Sequence, residues 1–164
     1  MKPVLHASSD GNDSFLRSLV SCIGSINCSE QFADHLGEVR TKPFVVKPLQ
    51  AAVCSVLAAN FPEMSWSLEH KQREANKDAV DIFGTGGKAP VLIELDTSRA
   101  DQVAKKFLSR SAIFEEQIYY VTLCYPGTDA MSVSECIKYF GYCAALSRRL
   151  GSFYAGFIIQ RTGY

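Results

Sequence analysis

Two hydrophobic periods divide the chain near residue 64. Before it, apolar residues recur every three or four positions. "SFLRSLVSCIGSI" puts Phe15, Leu19, Cys22, Ile23 and Ile26 on one face and predicts a helix over Ser14–Ile26. A second helix is predicted around Ser29–Leu36, closed by Gly37, and a clearer one over "KPLQAAVCSVLAANF", with Pro48 in its first turn and Pro62 stopping it. Residues 1 to about 12 are polar and glycine-containing and are expected to be loose.

From residue 64 the period falls to two. "MSWSLEHKQ" alternates Met64, Trp66 and Leu68 with polar neighbours, and "AVDIFGTG" and "VLIELD" read as two further strands. "REANKD" and "TGGKAP" are hairpin-sized connections. "TSRADQVAKKFLSRSAIF" returns to helical spacing, with Ser98 and Asp101 spaced as a capping box and Val103, Phe107, Leu108 and Ala112 as the buried face. A strand "QIYYVTLCY" ends at "PGTD". The helix "SVSECIKYFGYCAALSRRL" then turns Cys136, Ile137, Phe140, Cys143, Ala144 and Ala145 inward, Gly151 closes it, and "FYAGFIIQ" is a last strand.

The order from residue 48 is helix, three-strand meander, helix, strand, helix, strand. It predicts an α/β fold with a mixed sheet, helices flanking the sheet, and right-handed parallel crossovers. The expected organisation is a single domain over 1–164, with 1–47 as an N-terminal helical extension and 48–164 as the core.

Composition narrows the class. A chain of 164 residues can bury one real core, and 47% hydrophobic with 21% charged residues matches a folded soluble protein. Lysine plus arginine equals aspartate plus glutamate at 17 each, so any nucleic-acid contact must come from a local patch. No stretch has signal-peptide or transmembrane character, and the six cysteines include no CxxC pair, so reduced thiols and a cytoplasmic location are expected.

"GTGGK" (Gly84–Lys88) invites comparison with a phosphate loop. Ile82 stands where a P-loop needs its first glycine, Ala89 where it needs a hydroxyl, and a strand follows instead of a helix N-terminus. A glycine-rich hairpin turn is the better reading. The carboxylates around it carry more. Glu94 and Asp96 point to one face of their strand, and a short antiparallel turn brings Asp81 opposite Glu94, about 5 Å away between Cβ atoms. Like charges at that separation repel unless a cation lies between them. Three hard oxygen donors at adjacent strand ends suit Mg²⁺ or Mn²⁺. The alternative is that they point to solvent at strand ends. The histidines His6, His35 and His70 do not cluster in the sequence, which argues against a histidine-based site.

An Asp on one strand, a short turn, then Glu-x-Asp ending the next strand and a helix at once resembles the PD-(D/E)XK nuclease superfamily. The element order over about residues 48 to 160 resembles its restriction-endonuclease-like core. Val80 stands at the motif's proline and Asp96 at its lysine. The resemblance implies a metal-dependent (Mg²⁺/Mn²⁺) endonuclease acting on DNA, with Asp81 and Glu94 holding the ion and Asp96 a ligand or a water-orienting group. It implies a further acidic ligand from Glu69 or Glu74, and Lys88 or Lys105 in place of the missing lysine. Arg99, Lys105 and Lys88 are the candidates for the DNA backbone. So small an enzyme is expected to work as a homodimer or as a domain of a larger assembly. The alternative from another class is an inactive nuclease-fold domain that binds DNA or a protein partner. A nucleotide-binding protein built on the glycine loop ranks behind both.

Overall fold

The period-two segments pair into one sheet. In the computed structural model, which describes residues 1–32, 43–71, 79–125 and 131–160, the chain order is β1 (Lys2–Ser8), α1 (Ser14–Ser25), α2 (Ser29–Phe32), α3 (Pro43–Asn60), β2 (Ser65–His70), β3 (Val80–Thr85), β4 (Val91–Asp96), α4 (Asp101–Ile113), β5 (Tyr119–Cys124), α5 (Val133–Arg149) and β6 (Phe153–Gln160). Six described strands form one mixed sheet in the order β1-β6-β5-β4-β3-β2. β2, β3 and β4 are an antiparallel meander, β5 and β6 run parallel to β4, and β1 closes the far edge antiparallel to β6. The expected α/β class with a mixed sheet is the observed one.

Helices cover both faces. Val91, Ile93 and Leu95 of β4 belong to the apolar cluster that includes Leu16 and Leu19 of α1 and Leu49, Val53 and Leu57 of α3. Leu92 belongs to the opposite cluster, with Val103 and Phe107 of α4, Phe140 of α5, Tyr120 and Tyr154. Every residue of β4 and β5 is buried, as central strands of a covered sheet must be. Among the described residues no helix is long and apolar enough to cross a membrane, and all six cysteines are free.

Several local readings are revised. The first residues, expected to be loose, form β1, so the region before residue 48 contributes a strand as well as helices. An edge strand is held by its backbone ladder and can be mostly polar, so its composition carries little signal. α3 begins at Pro43, which leaves Pro48 inside the helix and not in its first turn. α4 begins at Asp101, and Ala100 caps it without a side-chain bond, so the Ser98 capping box does not form. Leu108 and Ala112 face outward, and Arg110 takes the buried place beside Val103 and Phe107. On α5, Ile137 and Ala145 also face outward while Ser147 is buried. The second predicted helix is described only for Ser29–Phe32, and its continuation, "REANKD" and "PGTD" lie outside the described residues.

Two glycines mark close approaches. A Cβ on Gly84 would lie 2.6 Å from the Trp66 ring, and one on Gly156 would lie 2.5 Å from the Phe140 ring. The β3–β4 turn uses Gly86 at φ 97°, as a hairpin turn of glycines requires. Gly84→Ala and Gly156→Ala should each lose about 1–3 kcal/mol in urea unfolding, because a packed ring must move. Gly141→Ala on α5, with nothing within 4 Å of its added Cβ, should gain about 0.5–1 kcal/mol. Equal effects at all three positions would contradict the packing account.

Candidate functional site

The meander opens at one end. The β3–β4 register runs from Gly84↔Val91 to Ile82↔Ile93. Beyond that pair the Asp81 carboxylate intervenes, its Oδ2 accepting the Leu95 N–H at 2.7 Å. Its Oδ1 accepts from Gln50 Nε2 of α3 at 3.0 Å, and the same nitrogen donates to Glu69 Oε1 at 3.0 Å. A cavity of about 620 Å³ lies over this opening, between the N-terminal half of α3 and the start of α4. Glu69, Asp81, Asp96 and Lys106 line it, together with Lys47 of α3 and Arg99 just before α4.

Glu94 lies beneath, only 1% exposed, and is not part of the lining. Burial of an anion there requires partners, and α4 supplies them. Arg110 donates its Nε to Glu94 Oε1 at 2.9 Å and its Nη2 to the Ala79 carbonyl at 3.0 Å, so one guanidinium ties β4 to the start of β3. Lys106 sits 3.1 Å from Glu94 Oε2 and 2.9 Å from Asp96 Oδ1, and donates to the Leu95 carbonyl at 3.3 Å. Burial pushes the Glu94 carboxyl up to about 7, with Lys106 pulling it down, Asp81 raising it and Arg110 pulling it down. Burial works against the Lys106 ammonium, but Asp96, Glu94 and Asp81 outweigh it and hold its pKa above the ordinary lysine value. Lys106 is therefore a fixed positive charge and a hydrogen-bond donor at neutral pH, not a base.

The predicted site residues thus divide. Asp81, Glu94 and Asp96 gather at one end of the meander, and Glu69 joins them through Gln50. Among the described residues, no three acidic, imidazole or thiol groups are arranged to hold a metal by themselves. The ammonium of Lys106 occupies the place between Glu94, Asp96 and the Leu95 carbonyl where a small cation meets three oxygens. That stand-in, and a donor set made wholly of hard oxygens, fit Mg²⁺ or Mn²⁺ in kind. Glu94, Asp96 and the Leu95 carbonyl supply the oxygens around that place, and Asp81 is the next carboxylate along the opening.

Arg99 reaches the cavity wall and also bonds Asp101, its Nε to Oδ1 at 2.9 Å. Lys105 turns away to pair with Asp101 at 2.9 Å, and Lys88 is exposed on the β3–β4 turn, at the other end of those strands. Of the three lysines, Lys106 is the one at the carboxylates. Glu74 lies outside the described residues.

A scan against protein-family models and a search of curated proteins find no match to this chain.

Sequence reasoning missed Gln50, Lys106 and Arg110 as site residues. The signal was there for the last two. Val103, Lys106, Phe107 and Arg110 fall at i, i+3, i+4 and i+7, one buried stripe, and the stripe was assigned to Leu108 and Ala112 because they are apolar.

The Glu94 shift has a consequence for stability. Its folded value of about 7 lies above the ordinary 4.5, so the folded chain binds that proton more tightly than the unfolded chain. Stability from this group is full below pH 4.5 and is lost as pH rises through 7, ~3 kcal/mol in all. Urea midpoints in chelator should therefore fall between those pH values in the wild type, and Glu94→Gln should lack that component. Parallel curves for the two proteins would refute it.

Proposed function

We propose that this chain is a metal-dependent endonuclease that hydrolyses DNA phosphodiester bonds, built on a restriction-endonuclease-like core of the PD-(D/E)XK superfamily. Support comes first from topology: α3, the β2–β3–β4 meander, α4 and a parallel β5 follow the order that the motif implies. The observation that carries the reading is Lys106. The motif lacks its lysine at Asp96, and an ammonium arrives at the same carboxylates from α4, 3.1 Å from Glu94 and 2.9 Å from Asp96.

The chain's own groups divide the work. Asp81, fixed by Leu95 N–H and Gln50, and Glu94, braced by Arg110, would hold the ion. Bound there, Mg²⁺ or Mn²⁺ supplies Lewis-acid polarisation of the phosphate and a coordinated water of lowered pKa. With the ion bound, Lys106 would turn from Glu94 toward the cavity, and the N–H so released would donate to developing negative charge on the phosphate oxygens. Asp96, within 2.9 Å of Lys106, keeps that ammonium oriented and offers an acceptor for the attacking water. Lys47 and Arg99 on the cavity walls meet the flanking backbone. A homodimer, one site per strand, would cut a duplex.

A second reading has an observation of its own. Lys106 and Arg110 already pair Glu94 and Asp96, and such an ion cluster is also what an inactive nuclease-fold domain that binds DNA or a protein would retain. Supercoiled, single-stranded and branched DNA incubated with Mg²⁺ or Mn²⁺ separate the two. Cleavage by the wild type is expected, lost by about 100-fold or more in Asp81→Asn and Lys106→Met, as when a catalytic charge is removed. A wild type that binds these DNAs but cuts none of them overturns the nuclease and favours the binding domain.

A further inference from the structure

Gln50 is a polar residue on an apolar face. It shares the buried side of α3 with Leu49, Val53 and Leu57, and is itself 3% exposed. A primary amide there is costly unless its hydrogens are bonded. Both go to carboxylates: Glu69 Oε1 and Asp81 Oδ1, each at 3.0 Å. Those carboxylates belong to neighbouring strands, and the pairs Leu68↔Ile82 and His70↔Val80 on either side set Glu69 across from Asp81. Like charges across a ladder repel.

Glu69 also has φ 51°, the left-handed region, unmatched by any other non-glycine among the described residues. A β-strand residue gains nothing from that conformation. Here it accompanies a carboxylate that reaches the cavity and shares the Gln50 amide with Asp81. The other Asp81 oxygen takes the Leu95 N–H. Asp81 is therefore gripped from two directions, and among the described residues Gln50 supplies the side of the grip that comes from outside the meander.

We infer that Gln50 is a positioning residue whose amide clamps Asp81 and Glu69 side by side and so sets the orientation in which Asp81 works. Its role in catalysis rests on the nuclease reading; the clamp itself is a property of the fold. A merely space-filling Gln50 would be replaced without consequence by Leu, which has a similar volume and no donors.

Two measurements on Gln50→Leu test this. The first is amide hydrogen exchange in metal-free protein. Leu95 N–H should lose protection tenfold or more, because its acceptor Asp81 is released, while Ile93 on the same strand stays protected. The second is Mn²⁺ titration with DNA-cleavage kinetics. Mn²⁺ affinity and kcat should each fall tenfold or more, with KM for DNA within about twofold of wild type. Leu95 exchange equal to wild type overturns the clamp. An inert wild type whose Leu95 exchange nevertheless responds to Gln50→Leu overturns the nuclease reading and leaves the clamp standing. Should Gln50→Leu not fold, Glu69→Ala decides, since Glu69 is exposed and its loss takes away one of the two acceptors that orient the Gln50 amide: exchange at Leu95 should quicken severalfold, and no change overturns the proposal.

Discussion

Glu94 and Asp96 are buried at the end of a central strand, and the fold depends on the two cations that face them. A carboxylate at 1% exposure cannot be left to water. Lys106 and Arg110, one turn apart on α4, answer that demand with contacts of 2.9–3.1 Å. These contacts do more than neutralise. Arg110 reaches past Glu94 to the Ala79 carbonyl, so α4 is fastened to two strands at once. Lys106 lines the cavity and also bonds the Leu95 carbonyl of β4.

The cavity follows from where the meander stops pairing. Past Ile82↔Ile93 the ladder is continued by a side chain, Asp81 to Leu95 N–H, and not by backbone. The gap between the strand ends leaves Asp81 partly exposed and lets the buried Asp96 reach the cavity lining, while Glu94 stays covered. The lining combines the carboxylates of Glu69, Asp81 and Asp96 with the cations Lys47, Arg99 and Lys106. A polyanion that approaches such a site meets cations on its walls, and a hard cation meets oxygens within it. The net charge of zero over the whole chain conceals this local division of charge.

How much could be read beforehand depended on whether chemistry and periodicity agreed. "VLIELD", "QIYYVTLCY" and "FYAGFIIQ" are rich in β-branched and aromatic residues, and each is a buried strand. The antiparallel turn that sets Asp81 near Glu94 was legible because a glycine hairpin has few alternatives. Where the two signals disagreed, the reading went wrong. Lys106 and Arg110 lie on a helical stripe whose other members are apolar, and their charge argued for solvent. Gln50 posed the same conflict on α3. β1, KPVLHAS, is mixed in polarity and carries a proline, and the β6 ladder holds it. The Ser98 capping box failed because the helix begins later, at Asp101 with Ala100 as its cap, and the Asp101 carboxylate pairs with Lys105 and Arg99, which hold it down at about 2.

The central claim is that the Asp81, Glu94 and Asp96 carboxylates form a hard-cation site whose charge Lys106 shares. Crystals soaked in Mn²⁺ and measured at the manganese absorption edge test it most directly. The account predicts an anomalous peak within about 2.1–2.3 Å of Asp81 and Glu94 oxygens, with Lys106 displaced from Glu94 toward the cavity. No peak, with Lys106 still bonded to both Glu94 and Asp96, would contradict it.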